Sequence, residues 1–483
     1  MKEKFEEAIG DVERRDVLRG AGIAGGAGVL GVGLYGATRD DPGPEDPPET
    51  PDGTEEPTEE PDEPPPEERF DTVVNAVEAG ADPDGNEPIN FLFEEYDDDS
   101  TLFVFQSGTY EMEPFQIADR TQVGLVKSGD ERPRFVPTEG GCRGGHPYVF
   151  FNGVGDLLLE DIRFDFRDTD SGGPLHFYLE GESTIRNVTY EGSCENQLGI
   201  VRIDVNDPDG SALVENFHSV NIRGDKKITG MYVSDNHSGE LTFRDCQVNG
   251  FSDNGLYASA PGAPNGGDGL VNVIGGTYRN NNIANVRLGS TGAKAQDVTV
   301  VVDGETTGWG QLNARGIRLR NKSGQRIDNC EISFEADAAD SFGAVVIHGS
   351  NGGGTVTDTD IRLDRDDVPA VRAFPPKDEP DQTPVFDGVS ITGDAGSGVI
   401  AEIAGRDGTV FRNCTIEQSG ADRRGFLFRD SQNCRIVDSS IAVGKQPATL
   451  DDSSLTIENT TIATANDEQF FEELQLEDES LTL

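Results

Sequence analysis

Apolar residues in this chain come in short alternating runs, each closed by Asp, Asn or Gly, and one phrase returns repeatedly. Its clearest copies are Phe243-Arg244-Asp245-Cys246-Gln247-Val248, Asp328-Asn329-Cys330-Glu331-Ile332, Phe411-Arg412-Asn413-Cys414-Thr415-Ile416 and Glu458-Asn459-Thr460-Thr461-Ile462. Looser copies surround Asp161, Asn187, Gly275, Asp297, Asp358, Gly388 and Asp438, with a distorted one near Ser219. Aligned on the Asp/Asn/Gly position, the copies step by roughly 21 to 32 residues, the self-similarity of a solenoid. A second, Gly-led phrase alternates with the first: Gly255-Leu256-Tyr257-Ala258, Gly316-Ile317-Arg318-Leu319, Gly343-Ala344-Val345-Val346, Gly398-Val399-Ile400-Ala401 and Gly425-Phe426-Leu427-Phe428. Alternation of period two predicts strands. Strands this short cannot bury an apolar side alone, so each coil must lie on the last, pairing in parallel around one continuous core. Helix competes poorly in segments this short, β-branched and Gly-broken. The pattern therefore predicts an all-β, right-handed parallel β-helix of about a dozen coils with short N- and C-terminal caps. A propeller ranks below it, since blades need antiparallel hairpin signals and a longer period.

Because sides alternate along a strand, inward and outward residues can be separated. Taking Leu256/Ala258, Val286/Leu288, Ile317/Leu319 and Phe426/Phe428 as inward leaves an outward column. It runs through His176 and Tyr178, Arg202 and Asp204, Tyr232 and Ser234, Tyr257, Arg287, Arg318 and Arg320, then Val345 and Ile347, and continues less densely with Arg372, Glu402 and Arg429. At about 4.8 Å per coil, the Arg- and Tyr-rich part is about 30 Å long.

Charge makes that column conspicuous. Asp+Glu number 90 against Lys+Arg 39, a net charge of −51 spread along the whole chain. Such a surface resembles proteins of salt-loving archaea, where hydrated carboxylates keep a protein soluble while salt screens ordinary repulsion. It argues against nucleic acid, which needs a basic face. The cysteines form no disulfide framework. Cys246, Cys330 and Cys414 hold the same place in the repeat three coils apart, roughly 14 Å at the coil spacing and too far to bridge. They read as small buried apolar residues, leaving Cys142 with Cys194 as the one pair to test.

At the N-terminus, Arg14-Arg15-Asp16-Val17-Leu18 precedes a Gly/Ala-rich apolar run over residues 20–37. This resembles a twin-arginine export signal, cleaved near Ala37 or retained as a membrane tether. Residues 38–69 are almost wholly Pro, Glu, Asp, Thr and Gly and are expected to form a disordered, charge-stiffened linker. The solenoid domain then spans 70–483, with 70–140 as cap and first coil and 464–483 as C-terminal cap, where Phe470, Phe471 and Leu474 are expected to cover the last coil. Gly80-Ala81-Asp82-Pro83-Asp84-Gly85, the segment after it and Gly108-Thr109-Tyr110 are similar to the opening of the pectate-lyase-like superfamily. That resemblance implies a turn, a short helix and a capping strand ahead of a β-helix. Here Asp97-Asp98-Asp99 and a shortened helix replace the usual Ala-rich helix. Asn187, Asn236, Asn321, Asn413 and Asn459 begin Asn-x-Ser/Thr sequons, several of them at the repeat turn.

Two classes of function remain open. In the first, an exported protein acts on acidic polysaccharide along the Arg/Tyr column as a lyase or hydrolase. Arg287, Arg318 and Arg320 would neutralise a uronate while Tyr232, Tyr257 or His176 exchange protons, with His176, Tyr178, Arg202 and Asp204 holding substrate. Hydrolysis would instead need paired carboxylates, for which Asp204 with Asp235 or Asp253 are nearest. In the second, the solenoid is a non-catalytic module of the cell surface that binds glycans or builds the envelope. The paired-Asp, Gly-His-Gly and Arg-Ile-Lys set of polygalacturonases is absent, as is the Arg-x-Pro-x-x-Arg pattern of pectate lyases. Calcium could be held by the acidic loop from Asp204 to Gly210, although Pro208 takes a ligand position of the EF-hand pattern. His348 and His218 read as structural.

Overall fold

A computed structural model describes residues 64–138, 147–167, 173–192, 199–221, 227–306, 312–377, 383–418, 420–465 and 467–483. The chain divides into two units, residues 1–62 and 63–483, and every described residue belongs to the second. The export signal with Arg14 and Arg15, and the pair Cys142 and Cys194, lie outside the described residues. No helix among the described residues is long and apolar enough to cross a membrane.

The second unit is a right-handed parallel β-helix. Its corners are set by the repeat: Asp161, Asn187, Asn216, Asp245, Gly275, Asp297, Asn329, Asp358, Gly388, Asn413, Asp438 and Asn459 all have φ between 44° and 67°. Only Gly reaches this left-handed region freely, and Asn and Asp tolerate it best among the rest. The corner side chains also tie coil to coil, Asn216 Nδ2 donating to Asn187 Oδ1 at 2.7 Å and Asn329 Nδ2 to Asp297 Oδ1 at 2.6 Å. Four of the five sequon asparagines, Asn187, Asn321, Asn413 and Asn459, have positive φ, so turn geometry explains them.

Strands on either side of that corner pair in parallel with their counterparts one coil on, forming a 29-stranded sheet. A third strand per coil builds a separate 13-stranded sheet, from Phe115–Ala118 to Ala448–Asp451. Between the sheets lies one continuous apolar core in which Leu256, Val286, Ile317, Val345 and Val371 stack in register. Burying each such side chain contributes about 1.5–3 kcal/mol. Cys246, Cys330, Cys414 and Cys434 are free and buried, and burial pushes their thiols up to about 12, 11, 11 and 12.

At the start, Asp82 accepts the backbone N–H groups of Asp84 and Asn86, then the helix Phe91–Glu95 leads into Ser100–Gln106. At the end, Glu468–Glu477 is a strand lying antiparallel on Ser454–Ala463, so the last coil is closed by backbone pairing. Phe471 is buried there and Leu474 packs partly on the core, but Phe470 is 61% exposed. Its neighbour Phe471 faces inward, and adjacent residues of one strand face opposite ways.

Candidate functional site

The outward face of the 13-stranded sheet carries one residue per coil in unbroken register. The order is Gln116, Phe150, His176, Arg202, Tyr232, Tyr257, Arg287, Arg318, Val346, Arg372, Glu402, Leu427 and Thr449. Val345 and Ile347, expected outward, are inward instead. They pair with Ile317 and Leu319, which leaves Val346 on the outer face beside Arg318. Aligning Gly343 with Gly316 causes the slip, because Ile317 N–H bonds to Ala344 O and the strand is displaced by one residue. Arg429 stays on the outward face, two residues after Leu427, which is the residue opposite Glu402.

From Phe150 to Tyr257 the stripe is aromatic. Phe150 meets Tyr178 edge-on at 5.0 Å and His176 at 6.0 Å, and Tyr232 meets Tyr257 at 5.2 Å. The Arg202 guanidinium lies over the rings of Tyr178 and Tyr232, at 4.7 and 5.6 Å, with Nε on Asp204 Oδ2 at 2.9 Å and Nη2 on Ser234 Oγ at 2.7 Å. Asp204 is fully buried and also accepts Ser234 N–H on Oδ1 and the Ser234 hydroxyl on Oδ2. The substrate-binding, hydrolytic and calcium roles considered for Asp204 are therefore corrected, since both its oxygens are committed inside the wall. Asp253 is engaged too, by Thr229 Oγ1 and Asn254 Nδ2. In the acidic loop Asp207 accepts the N–H of Asp209 at 2.9 Å, and no group of three or more His, Cys, Asp or Glu among the described residues is arranged to hold a metal ion. Burial, with Arg202 adding to it, lowers His176 to about 4, so its imidazole is neutral near pH 7. Burial, reinforced by Tyr257, raises the Tyr232 phenol well above its ordinary value and keeps it protonated.

From Arg287 onward the stripe is cationic. Arg287 is 7% exposed, stacks over Tyr257 at 3.9 Å, and donates to Ser259 Oγ at 2.6 Å and to Tyr257 Oη at 2.9 Å, all neutral partners. Arg318 follows one coil on, and Arg320 belongs to the residue pair beside His348, whose N–H bonds to Leu319 O. Lys377 N–H bonds to Gly349 O, and its side chain runs alongside that glycine, where a Cβ would approach Lys377 Cγ to 3.4 Å. His348 Nδ1 accepts Ser350 N–H at 3.1 Å, so in the neutral ring Nε2 carries the proton. Burial lowers His348 first, and the charges of Arg320, Arg318, Lys377 and Arg287 lower it further. A chain of hydrogen bonds links the group, from Ser350 Oγ to Asn321 Oδ1 and from Asn321 Nδ2 to Ser259 O. Beyond it Arg372 is paired with Glu402 at 2.9 Å, and Arg429 binds the same carboxylate.

All nine column residues expected to touch substrate or exchange protons thus lie on one sheet face, but they separate into two groups. Tyr257 and Arg287 join them. Sequence reasoning missed His348 and Lys377, which reach the cationic group from later coils. A signal existed for His348, two residues after an outward position, but only the corrected register at Val346 reveals it.

Neither a protein-family model nor a curated protein sequence matches the chain. Among solved structures, the Agl-KA catalytic domain aligns with TM-score 0.45 at 13% identity, over 80% of this chain and 68% of that one. The catalytic unit of a GH87 α-1,3-glucanase from Streptomyces thermodiastaticus aligns with TM-score 0.40 at 12% identity over 81% of this chain, which spans 63% of the glucanase chain. PfbA, a surface adhesin of Streptococcus pneumoniae, aligns with TM-score 0.35 at 13% identity, over 82% of this chain and 94% of its own. These chains resemble the present one in fold alone.

Proposed function

We propose that this protein is an exported, polysaccharide-interacting β-helix that binds an acidic glycan along the outward stripe of its 13-stranded sheet. The observation that carries the reading is the unbroken register of Phe150, His176, Arg202, Tyr232, Tyr257, Arg287 and Arg318 on one face. Flat rings spaced by the coil repeat of about 4.8 Å suit successive sugar rings, and Arg forks suit carboxylate or sulfate. Binding is favoured over turnover by the chemistry of the side chains. Asp204 and Asp253 are occupied by their own neighbours, and Tyr232 holds its proton. Twin arginines at Arg14 and Arg15, followed by an acidic linker, support delivery to the cell surface.

A net charge of −51 repels an acidic glycan at long range, whereas contacts within the stripe act over one hydrogen bond. The Debye length shrinks from about 10 Å at 0.1 M salt to about 3 Å at 1 M. Affinity is therefore expected to rise with salt before the short contacts are themselves screened. The test is retention of the full chain on acidic and neutral polysaccharides across a salt series, with ultraviolet absorbance of unsaturated uronates and reducing ends followed alongside. Salt-promoted binding to acidic polymers, lost in Arg318→Ala/Arg320→Ala, is the expected result. Absence of binding to every polymer by folded protein overturns the reading, and release of cleavage products would replace binding with catalysis.

A further inference from the structure

Five asparagines begin sequons, and the corners of the coil account for four of them, Asn187, Asn321, Asn413 and Asn459. The fifth, Asn236, has no such task in the fold. We propose that Asn236 is a glycosylation site, whose side-chain nitrogen takes a glycan from a lipid-phosphate-linked oligosaccharide on the outer side of the cell membrane. This rests on the export of the protein and not on reading the stripe as a glycan track.

The first argument is what each side-chain amide already does. Asn413 Nδ2 donates to Asp387 Oδ1 at 2.7 Å, Asn321 Nδ2 donates to Ser259 O at 2.6 Å, and Asn187 Oδ1 accepts from Asn216 Nδ2 at 2.7 Å. A sugar on any of these three amides would crowd a bond that ties coil to coil. Asn236 is exposed, lacks the positive φ of the other four, and its side-chain amide bonds to no described residue. Its Nδ2 can exchange a hydrogen for a sugar with no bond lost.

The second argument is the backbone. A transferring enzyme has to hold all three residues of a sequon, the hydroxyl of the third included. Thr189, Thr415 and Thr461 are strand residues paired on both sides: Thr189 with Arg163 and His218, Thr415 with Ser390 and Ser440, Thr461 with Ser440 and Phe470. Drawing any of them out means parting the sheet. Asn236-His237-Ser238 instead lies in the turn between Met231–Tyr232 and Glu240–Arg244. Asn236 N–H donates to Ser234 Oγ at 3.3 Å, Ser238 Oγ donates to Asn206 O at 2.6 Å, and the buried His237 ring accepts Val205 N–H on Nδ1 at 3.1 Å. Opening one turn is a local event that leaves the coils paired.

The third argument is the product. In the transfer, Asn236 Nδ2 attacks C1 of the first sugar, the C–N bond forms as the C1–O bond to phosphate breaks, and the lipid phosphate leaves with the bonding electrons. The proton released from Nδ2 goes to solvent, and nothing is oxidised or reduced. When the turn closes again, Ser234 and His237 hold it on either side of Asn236, since Ser234 is tied to Asp204 and His237 to Val205 and Leu270. Ser234 also receives Arg202, so the glycan stands at the margin of the aromatic coils.

The experiment takes the protein from the cells that make it, separates surface from internal material by protease accessibility on intact cells, and weighs the tryptic peptides by mass spectrometry. Residues 228–244 form one tryptic peptide in which Asn236 is the only asparagine. In surface protein that peptide is expected to be heavier by whole sugar units in most copies, while the peptides of Asn187, Asn321, Asn413 and Asn459 keep their unmodified masses. Asn236→Gln is expected to lose the added mass and to keep the circular dichroism of the unaltered protein. An unmodified Asn236 in surface protein overturns the site and leaves export standing, whereas an unmodified Asn236 in protein found wholly inside the cell overturns both. Sugar on a corner asparagine in place of Asn236 overturns the structural argument. The peptide masses of the unaltered protein decide the matter even if the variant fails to fold.

Discussion

Two halves of one sheet face have the same backbone and opposite electrostatics. Both present one outward residue per coil in strict register, and both contain an arginine stacked on tyrosine, Arg202 between Tyr178 and Tyr232 and Arg287 over Tyr257. Arg202 is answered by a carboxylate on its own strand, while Arg287 is answered by two hydroxyl groups. A solenoid supplies geometry evenly, so Arg202 and Arg287 differ only through the side chains that meet them. The aromatic half holds its arginine paired among rings, and the later half, an arginine anchor, places Arg287 and Arg318 in register on a protein of net charge −51.

The largest expected effect tests whether the anchor is an independent structure. Arg406 is buried beneath it and donates to the carbonyls of Phe374, Asn351 and His348, at 3.0, 2.8 and 3.0 Å, spanning coils as much as 58 residues apart. Burial lowers its guanidinium to about 10. Arg406→Met would remove three hydrogen bonds, leaving His348 O with only the Asn351 N–H, and is expected to cost on the order of 3 kcal/mol. Coils of a solenoid interact mainly with their neighbours. Hydrogen exchange should therefore accelerate at residues 348–351 and 374–377 while the coils of Phe150 to Tyr257 stay protected. Uniform acceleration would mean that the two halves are one cooperative unit.

Asp204→Asn is the second test, and it attacks the difference directly. It keeps the shape but removes the charge that cancels Arg202, with a stability cost of about 1–3 kcal/mol from the weakened buried hydrogen bonds. An acidic polysaccharide should bind more tightly to this variant as measured by calorimetry. An unchanged affinity would show that charge balance in that half does not select the ligand.

A smaller effect is expected from Tyr257→Phe at the boundary. The ring that stacks on Arg287 remains, and only the acceptor at 2.9 Å is lost, a change of about 0.5–1.5 kcal/mol. Retention on an acidic polysaccharide should fall severalfold while retention on a neutral one holds.

The smallest effect is on stability with pH. His176 is lowered to about 4 by burial, against an ordinary value of about 6.5. Between those values the unfolded chain takes up a proton that the folded chain refuses, so stability falls as pH drops from about 6.5 to about 4. His348 is lowered as well, so it adds to the same slope. Asp165 follows a different course: burial pulls its carboxyl up, but Arg167 and Arg134 outweigh that and hold it below the usual range. Its contribution is present above about pH 4 and is lost at lower pH. His176→Phe, which keeps an aromatic ring beside Phe150, should flatten part of the decline in denaturation midpoint between pH 7 and 5. An unaltered decline would assign the slope to the cationic half.

The fold was legible because each of its rules is local. Asp, Asn or Gly recurs where φ is positive, and alternation separates Leu256 and Val286 from Tyr257 and Arg287 without knowledge of any contact. The outward column followed from the same alternation, up to Gly343, where a one-residue displacement put Val346 outside instead of Val345. No composition signal marks that displacement, because Val345, Val346 and Ile347 are all apolar and suit either side.

The amino-acid order by itself thus determined the coil, its corner residues, the core stripe and the presence of an Arg/Tyr face, all of which depend on neighbours within one turn of chain. Tertiary structure alone decided how that face is divided. Arg202 and Arg287 look alike in sequence, yet their states depend on Asp204 being turned into the wall by Ser234 and on Ser259 and Tyr257 meeting Arg287 from the preceding coil. His348 and Lys377 join the anchor from coils farther along the chain. The physical reason is that an ion's free energy is set by what surrounds it within a few ångströms. In a solenoid those surroundings come from residues about one coil away in sequence, where no local pattern records them.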